Sequence, residues 1–143
     1  MKNKVIQKFF NLKISTNGQK LYEYTDKTIE WVKKNKFKNG LINISIQHTS
    51  ASLIIQENAD LDVQKDLINY FNKIVPMNNE LYIHTTEGKD DMPAHIKSAI
   101  TNSNISLSIK DGELLLGTWQ GLYLFEHRLN SQTRTLIHHY IGD

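Results

Sequence analysis

Within Leu41 to Ile55, the strongest strand region of the chain, apolar residues recur at every second position from Ile42 to Ile46, and no other stretch constrains the fold as tightly. Ile42, Ile44 and Ile46 fall on one face and Asn43, Ser45 and Gln47 on the other, which suits a half-buried strand and no helix. Thr49-Ser50-Ala51-Ser52 interrupts the pattern with small residues, the mark of a bulge or of close backbone approach. Leu53-Ile54-Ile55 then resumes a strand. His48 continues the apolar face. Two readings fit it: a core histidine with a hydrogen-bonded ring, or a functional group delivered at a strand end.

The rest of the chain alternates strand-like and helix-like stretches. Val5 to Thr16 reads as a strand, and Asn17-Gly18 turns it onto a second strand, Lys20–Tyr24. Thr25 or Asp26 caps a helix whose stripe is Ile29, Val32, Lys33 and Phe37, ended by Asn39-Gly40. Lys33, Lys34, Lys36 and Lys38 either complement the helix dipole or steer a phosphate. Asp60 caps a second helix that runs to Val75 with Leu61, Leu67, Ile68, Phe71 and Ile74 inward, and Pro76 stops it. Leu81-Tyr82-Ile83 reads as a short strand, and Ala94 to Asn102 as a short helix with Asp91 or Met92 ahead of Pro93. Ile105, Leu107 and Ile109 mark a strand, and Asp111-Gly112 turns it into one long strand from Glu113 to Arg128. Leu122, Leu124, Glu126 and Arg128 share a face of that strand. The last two need partners, either each other or a ligand. Thr133 to Ile141 closes the chain as a strand. The layout predicts a single α+β domain over 1–143, an antiparallel-rich β-sandwich or half-barrel sheet with helices packed on one side.

Composition narrows the function. At 143 residues, 39% hydrophobic and 22% charged, the chain suits one globular domain with its own core. A net charge of +2 gives no electrostatic case for nucleic acid or membrane partners. No run approaches the ~20 apolar residues of a membrane span, and Met1-Lys2-Asn3-Lys4 leads into no signal-peptide core. Cysteine is absent, which excludes disulfides and thiolate metal sites and permits a cytoplasmic setting. Any metal must therefore be held by His, Asp or Glu.

The segment from His84 to His95 is where such ligands concentrate. Between its two histidines lie Glu87, Asp90 and Asp91, with Gly88 and Pro93 shaping the backbone. Burying it unpaired would cost ~2–7 kcal/mol per polar group, so it is no core segment. It reads either as a solvated loop or as a mixed N and O site for a divalent cation. With His48 and the acids Glu57 and Glu126, it forms the one constellation that could carry chemistry. Glycine-rich phosphate loops, HExxH and GxSxG are all missing.

Four segments then carry a family resemblance: His48-Thr49-Ser50-Ala51-Ser52-Leu53; Glu57-Asn58-Ala59-Asp60; His84 with Glu87 through Lys97; and Leu116-Gly117-Thr118-Trp119-Gln120-Gly121 with Glu126-His127-Arg128. In order and over nearly the whole chain, they resemble the YjbQ family, also called the secondary thiamine-phosphate synthase family. The resemblance implies an α+β fold, a homotrimer, and a weak thiamine-phosphate synthase activity. That reaction joins a pyrimidine methyl diphosphate to a thiazole phosphate and releases pyrophosphate, so it needs a divalent cation and basic groups. It directs attention to Glu57, Asn58, Asp90, Lys97, Thr118, Trp119 and Gln120 as contacts to a small phosphorylated substrate.

The expected catalytic set is His48, His84, His95, Asp91, Glu126 and Arg128, with His48, His84 and His95 as the metal ligands. The ion is magnesium, zinc or manganese; aspartates suit the first and imidazoles the others. Three functions compete: the thiamine-phosphate synthase reaction, a metal-dependent hydrolase, and a trimeric metal- or anion-binding protein without turnover.

Overall fold

The computed structural model describes residues 4–143; Met1 to Asn3, part of the stretch read above for a signal peptide, lie outside the described residues. Eight strands and three helices follow one another: β1 (Ile6–Asn17), β2 (Lys20–Glu23), α1 (Thr25–Lys34), β3 (Gly40–Ile46), β4 (Ala51–Glu57), α2 (Leu61–Ile74), α3 (Asp91–Ile100), β5 (Asn104–Lys110), β6 (Glu113–Leu114), β7 (Gln120–Glu126) and β8 (Ser131–Gly142). They form two antiparallel sheets, ordered β1-β8-β3-β5-β6 and β2-β7-β4. The α+β class with extensive antiparallel pairing is as expected.

The alternation in β3 explains the main core. Ile42, Ile44 and Ile46 point inward with Leu136 and Tyr140 of β8 and Ile105 and Ile109 of β5. They meet Leu53, Leu122 and Leu124 from the smaller sheet. A second cluster lies on the smaller sheet's other face, where Leu21, Tyr123 and Phe125 receive Leu67, Ile68 and Phe71 of α2. Strand β7 is thus covered on both faces. That is why Leu122-Tyr123-Leu124-Phe125 is continuously apolar rather than alternating.

Several boundaries differ from the sequence reading. The long strand Glu113–Arg128 is broken: β6 ends at Leu114 in the larger sheet and β7 begins at Gln120 in the smaller. Between them, the Gln120 side chain accepts the Gly117 N–H at 2.7 Å and closes a loop. No strand forms at Leu81–Ile83. Asn79–Leu81 is a single 3-10 turn whose Glu80 N–H is taken by the Asn78 side chain, and Ile83 is fully exposed. Helix α1 ends at Lys34; buried Phe37 lies beyond it, after Lys36 in the left-handed region (φ 54°). The residue before α1 is Tyr24, not Thr25 or Asp26. Asp60 does cap α2, accepting from the Asp62 N–H, but Leu61 and Ile74 face outward. Helix α3 starts three residues earlier than expected, with Asp90 at its cap position and Pro93 in its first turn.

Two buried histidines set the acid limit of this fold. His138 lies among Phe10, Tyr24 and Trp31 with Nε2 2.8 Å from Thr28 Oγ1. His127 sits against Phe125 with Nε2 2.9 Å from Ser52 Oγ. Burial pushes their pKa values down to about 4 and about 3. In the folded state both rings therefore stay neutral where the unfolded chain takes a proton, near pH 6.5. Stability is full above that pH and is lost as pH falls towards 4, each ring contributing on the order of 2 kcal/mol. Urea unfolding at pH 7 and pH 4.5 should show the midpoint dropping sharply at the lower value. Equal midpoints would contradict this account.

Candidate metal centre

The site is assembled at the start of α3. Gly88 turns the chain with φ +105°, and the Asp91 N–H donates to the Gly88 carbonyl at 3.2 Å. A side chain at Gly88 would be strained by that φ and would crowd the Asp90 carboxylate. One helical turn then aligns Asp91 with His95, four residues on. His95 Nε2 lies 3.1 Å from Asp91 Oδ2. His84 arrives from the irregular segment before the helix, and its Nε2 lies 2.8 Å from the same oxygen and 2.9 Å from Glu87 Oε2. The ligand atoms of His84, Asp91 and His95 all lie within 4.8 Å of one another.

Arg128, just past β7, fixes the other side of the cluster. Its Nη1 donates to Asp91 Oδ1 at 2.6 Å, its Nε to Asp90 Oδ2 at 2.9 Å, and its Nη2 to the Glu87 carbonyl at 3.0 Å. Asp90 Oδ2 also accepts the Leu129 N–H at 2.9 Å. Asp91 thus gives one oxygen to the guanidinium and presents the other to both imidazoles. Burial pushes its carboxyl upward, but His84, His95 and Arg128 outweigh this and hold it below the usual carboxylate range. Asp90 is likewise lowered: burial is opposed by the Leu129 amide and Arg128. The Asp91 hydrogen bond raises His84 above its ordinary value.

The tautomer of His95 tests whether a cation fits. Its Nδ1 lies 2.8 Å from the Thr49 carbonyl, which can only accept, so Nδ1 carries the proton. In the neutral ring, Nε2 then aims a lone pair at a carboxylate oxygen 3.1 Å away. Two lone pairs that close repel unless a proton or a metal ion lies between them. A carbonyl holding the far nitrogen of an imidazole is also the usual outer support of a metal ligand.

The structure reorders the expected residues. His48 stands outside the donor group: its Nε2 accepts the Thr135 N–H at 2.9 Å, and Asp91 takes the place assigned to it. Burial, then Arg134, lowers the His48 pKa. Glu126 touches neither Arg128's guanidinium nor the imidazoles. It is fully buried, with Arg134 as its partner. Lys97 points to the opposite side of α3, where its buried Nζ donates to Asn72 Oδ1 at 2.6 Å and desolvation lowers its pKa to about 8.

Glu57, Asn58, Thr118, Trp119 and Gln120 lie at the other end of the smaller sheet. The β4–β7 ladder runs from Ala51 opposite Glu126 to Glu57 opposite Gln120, a span of about 20 Å. There Glu57 Oε2 accepts the Ala59 and Asp60 N–H groups, and the Asn58 N–H donates to the Trp119 carbonyl. Missed altogether was a cavity of about 360 Å3 beside His95, lined by His48, Thr49, Ser98, Thr101 and Ser103. The i, i+4 spacing of Asp91 and His95 was the available signal for the ligand pair; hydroxyls from three separate segments left none for the cavity.

Fold and site together define a small α+β protein with a two-histidine, one-carboxylate candidate metal centre. Residues 10–143 match the family model described as UPF0047 protein YjbQ-like. The chain belongs to this family. It is 47% identical over 132 residues to a UPF0047 protein of Synechocystis, covering 92% of this chain and 90% of the relative. A UPF0047 protein of Methanocaldococcus jannaschii is 39% identical over 123 residues, 85% and 86% of the two chains. A solved YbjQ-like protein of unknown function from Sulfolobus solfataricus has a TM-score of 0.90 at 20% identity, covering 98% of this chain and all (100%) of that one, a likeness of fold alone. A conserved hypothetical protein of Thermus thermophilus gives 0.79 at 26% identity, covering 90% and 97%. No helix among the described residues is long and apolar enough to cross a membrane.

Proposed function

We propose that this chain is a metal-dependent hydrolase whose ion is held by His84, Asp91 and His95. The observation that carries the reading is the His95 ring, whose Nδ1 is committed to the Thr49 carbonyl and whose Nε2 lies 3.1 Å from the carboxylate oxygen it shares with His84. Two imidazoles and one carboxylate suit zinc, manganese or iron better than magnesium, and three protein ligands leave room for a further one. Bound there, the ion would supply Lewis acidity, polarising a substrate oxygen and making water more acidic.

The chain's own groups have distinct tasks. Arg128 orients Asp91 and Asp90. The Thr49 carbonyl fixes His95. Glu87, exposed and paired with His84 Nε2 at 2.9 Å, is the carboxylate at the solvent rim of the group, placed to take a proton from water through its second oxygen.

A weak thiamine-phosphate synthase reaction remains the second reading, supported by the family resemblance and by the same ion's capacity to polarise a diphosphate. Its weakness is expected, because Arg128, the cation at the site, is already taken by Asp90, Asp91 and Glu87. Assembly as a homotrimer is part of the proposal. What supports it is the uncovered face of the larger sheet, where Phe9, Leu41 and Ile141 stand exposed. A cytoplasmic setting is also part of the proposal, one that the absence of cysteine permits.

Elemental analysis of protein purified without a metal-affinity tag tests the reading. A stoichiometric transition metal is expected, removed by chelator and restored by Zn2+ or Mn2+. Protein that stays metal-free and shows no heat of binding with either ion would overturn it.

A further inference from the structure

We infer that the cavity beside His95 takes an uncharged cyclic amide, a ring carrying adjacent N–H and carbonyl groups, rather than a phosphorylated molecule. The inference deepens the hydrolase reading and rests on it for the role of the neighbouring ion. Among the described residues, no lysine, arginine, aspartate or glutamate lines this space of about 360 Å3. The nearby cations are all committed: Arg128 to Asp90 and Asp91, Lys97 to Asn72, and Arg134 to Glu126 and Ser50. In the metal-free protein a phosphate group placed here would leave water without a fixed counter-charge, since none of the lining side chains is a lysine or arginine.

The polarity of the lining is set group by group. Ser98 Oγ donates to the Ala51 carbonyl at 3.2 Å and Thr101 Oγ1 to the Lys97 carbonyl at 2.7 Å. Their protons are spent, so towards the cavity both hydroxyls can only accept. His48 is the reverse. Its Nε2 accepts the Thr135 N–H, so the neutral ring carries its proton on Nδ1, which has no partner among the described residues. Thr49 and Ser103 add hydroxyls free to do either. Fixed acceptors at the C-terminal end of α3 and a fixed donor in the loop after β3 match a ligand that offers N–H and C=O side by side. The volume suits a single substituted ring. His95 belongs both to this lining and to the metal group, so a carbonyl held here lies next to the ion.

Uracil serves as the uncharged cyclic-amide probe and pyrophosphate as the anionic one. Each is titrated into 15N-labelled protein, without metal and after Zn2+ loading, and the amides of Thr49, Ser98, Thr101 and Ser103 are followed. Uracil should shift these amides in both forms, while pyrophosphate should leave them unmoved in the metal-free form. Ser103→Lys, at an exposed position, should reverse the preference by about 10-fold, one well-placed charge-assisted hydrogen bond. Thr101→Val should weaken uracil alone. No shift with uracil, or pyrophosphate binding equally well to the metal-free protein, would overturn the inference. Failure of Zn2+ to bind, with uracil binding intact, would instead overturn the metal reading and leave the cavity assignment standing.

Discussion

Asp91→Asn is expected to cut Zn2+ or Mn2+ affinity by at least ~100-fold, beyond what loss of an outer-shell partner does, while the chain still folds. One Asp91 oxygen sits within 3.1 Å of both His84 and His95, so the substitution strips charge from the one carboxylate shared by both imidazoles. The asparagine carbonyl oxygen can still accept from Arg128, and Asp90 retains its own bond to that guanidinium. The stability cost should therefore be limited to about 1–3 kcal/mol. Isothermal titration with Zn2+ and a urea curve on the same preparation check both halves. Wild-type affinity in the variant would mean the ion is held elsewhere. Affinity should also rise with pH in the wild type, because Asp91 raises the His84 pKa and an entering ion must displace that proton.

Glu126→Gln should do the opposite, crippling the fold without touching a ligand. Both Glu126 oxygens are filled. Oε1 accepts from Thr16 Oγ1 at 2.6 Å and Arg134 Nε at 2.8 Å; Oε2 accepts from Arg134 Nη2 at 2.6 Å and from the His127 and Arg128 N–H groups. The pair is almost wholly buried. Removing the carboxylate charge strands a guanidinium in the core, where breaking a buried pair costs about 3–5 kcal/mol. Because no Glu126 atom reaches the imidazoles or Asp91, metal binding should weaken mainly as the folded fraction falls, with a smaller part through the Arg128 N–H that Glu126 accepts. A variant with unchanged denaturation would overturn this structural role for Glu126.

The same residues show how far a linear reading reaches. Ile42, Ile44 and Ile46 declared an inward face because a strand alternates by geometry alone, and Asp60 announced α2 because capping is decided within three residues. The break after Leu114 was harder to read, since Leu114-Leu115-Leu116 is as apolar as a strand; Gln120 closes the loop twice, its N–H donating to the Gly117 carbonyl and its side chain accepting the Gly117 N–H. Glu126 and Arg128 were correctly seen to need partners, yet not the partners they have. Arg134 lies across a turn and the Asp90-Asp91 pair 38 and 37 positions away.

The candidate site divides along the same line. That His84, Asp91 and His95 crowd into one short segment is written in the order of residues, because helix pitch acts on neighbours; that Asp90 and Asp91 are nonetheless buried, paired with Arg128, is not. That Asp91 rather than His48 completes the group, that Lys97 turns away, and that Glu57 and Trp119 stand at the far end of a sheet follow only from packing. Those outcomes depend on which distant donor reaches which acceptor once two sheets and three helices have closed on each other, and short-range preferences carry no record of that competition.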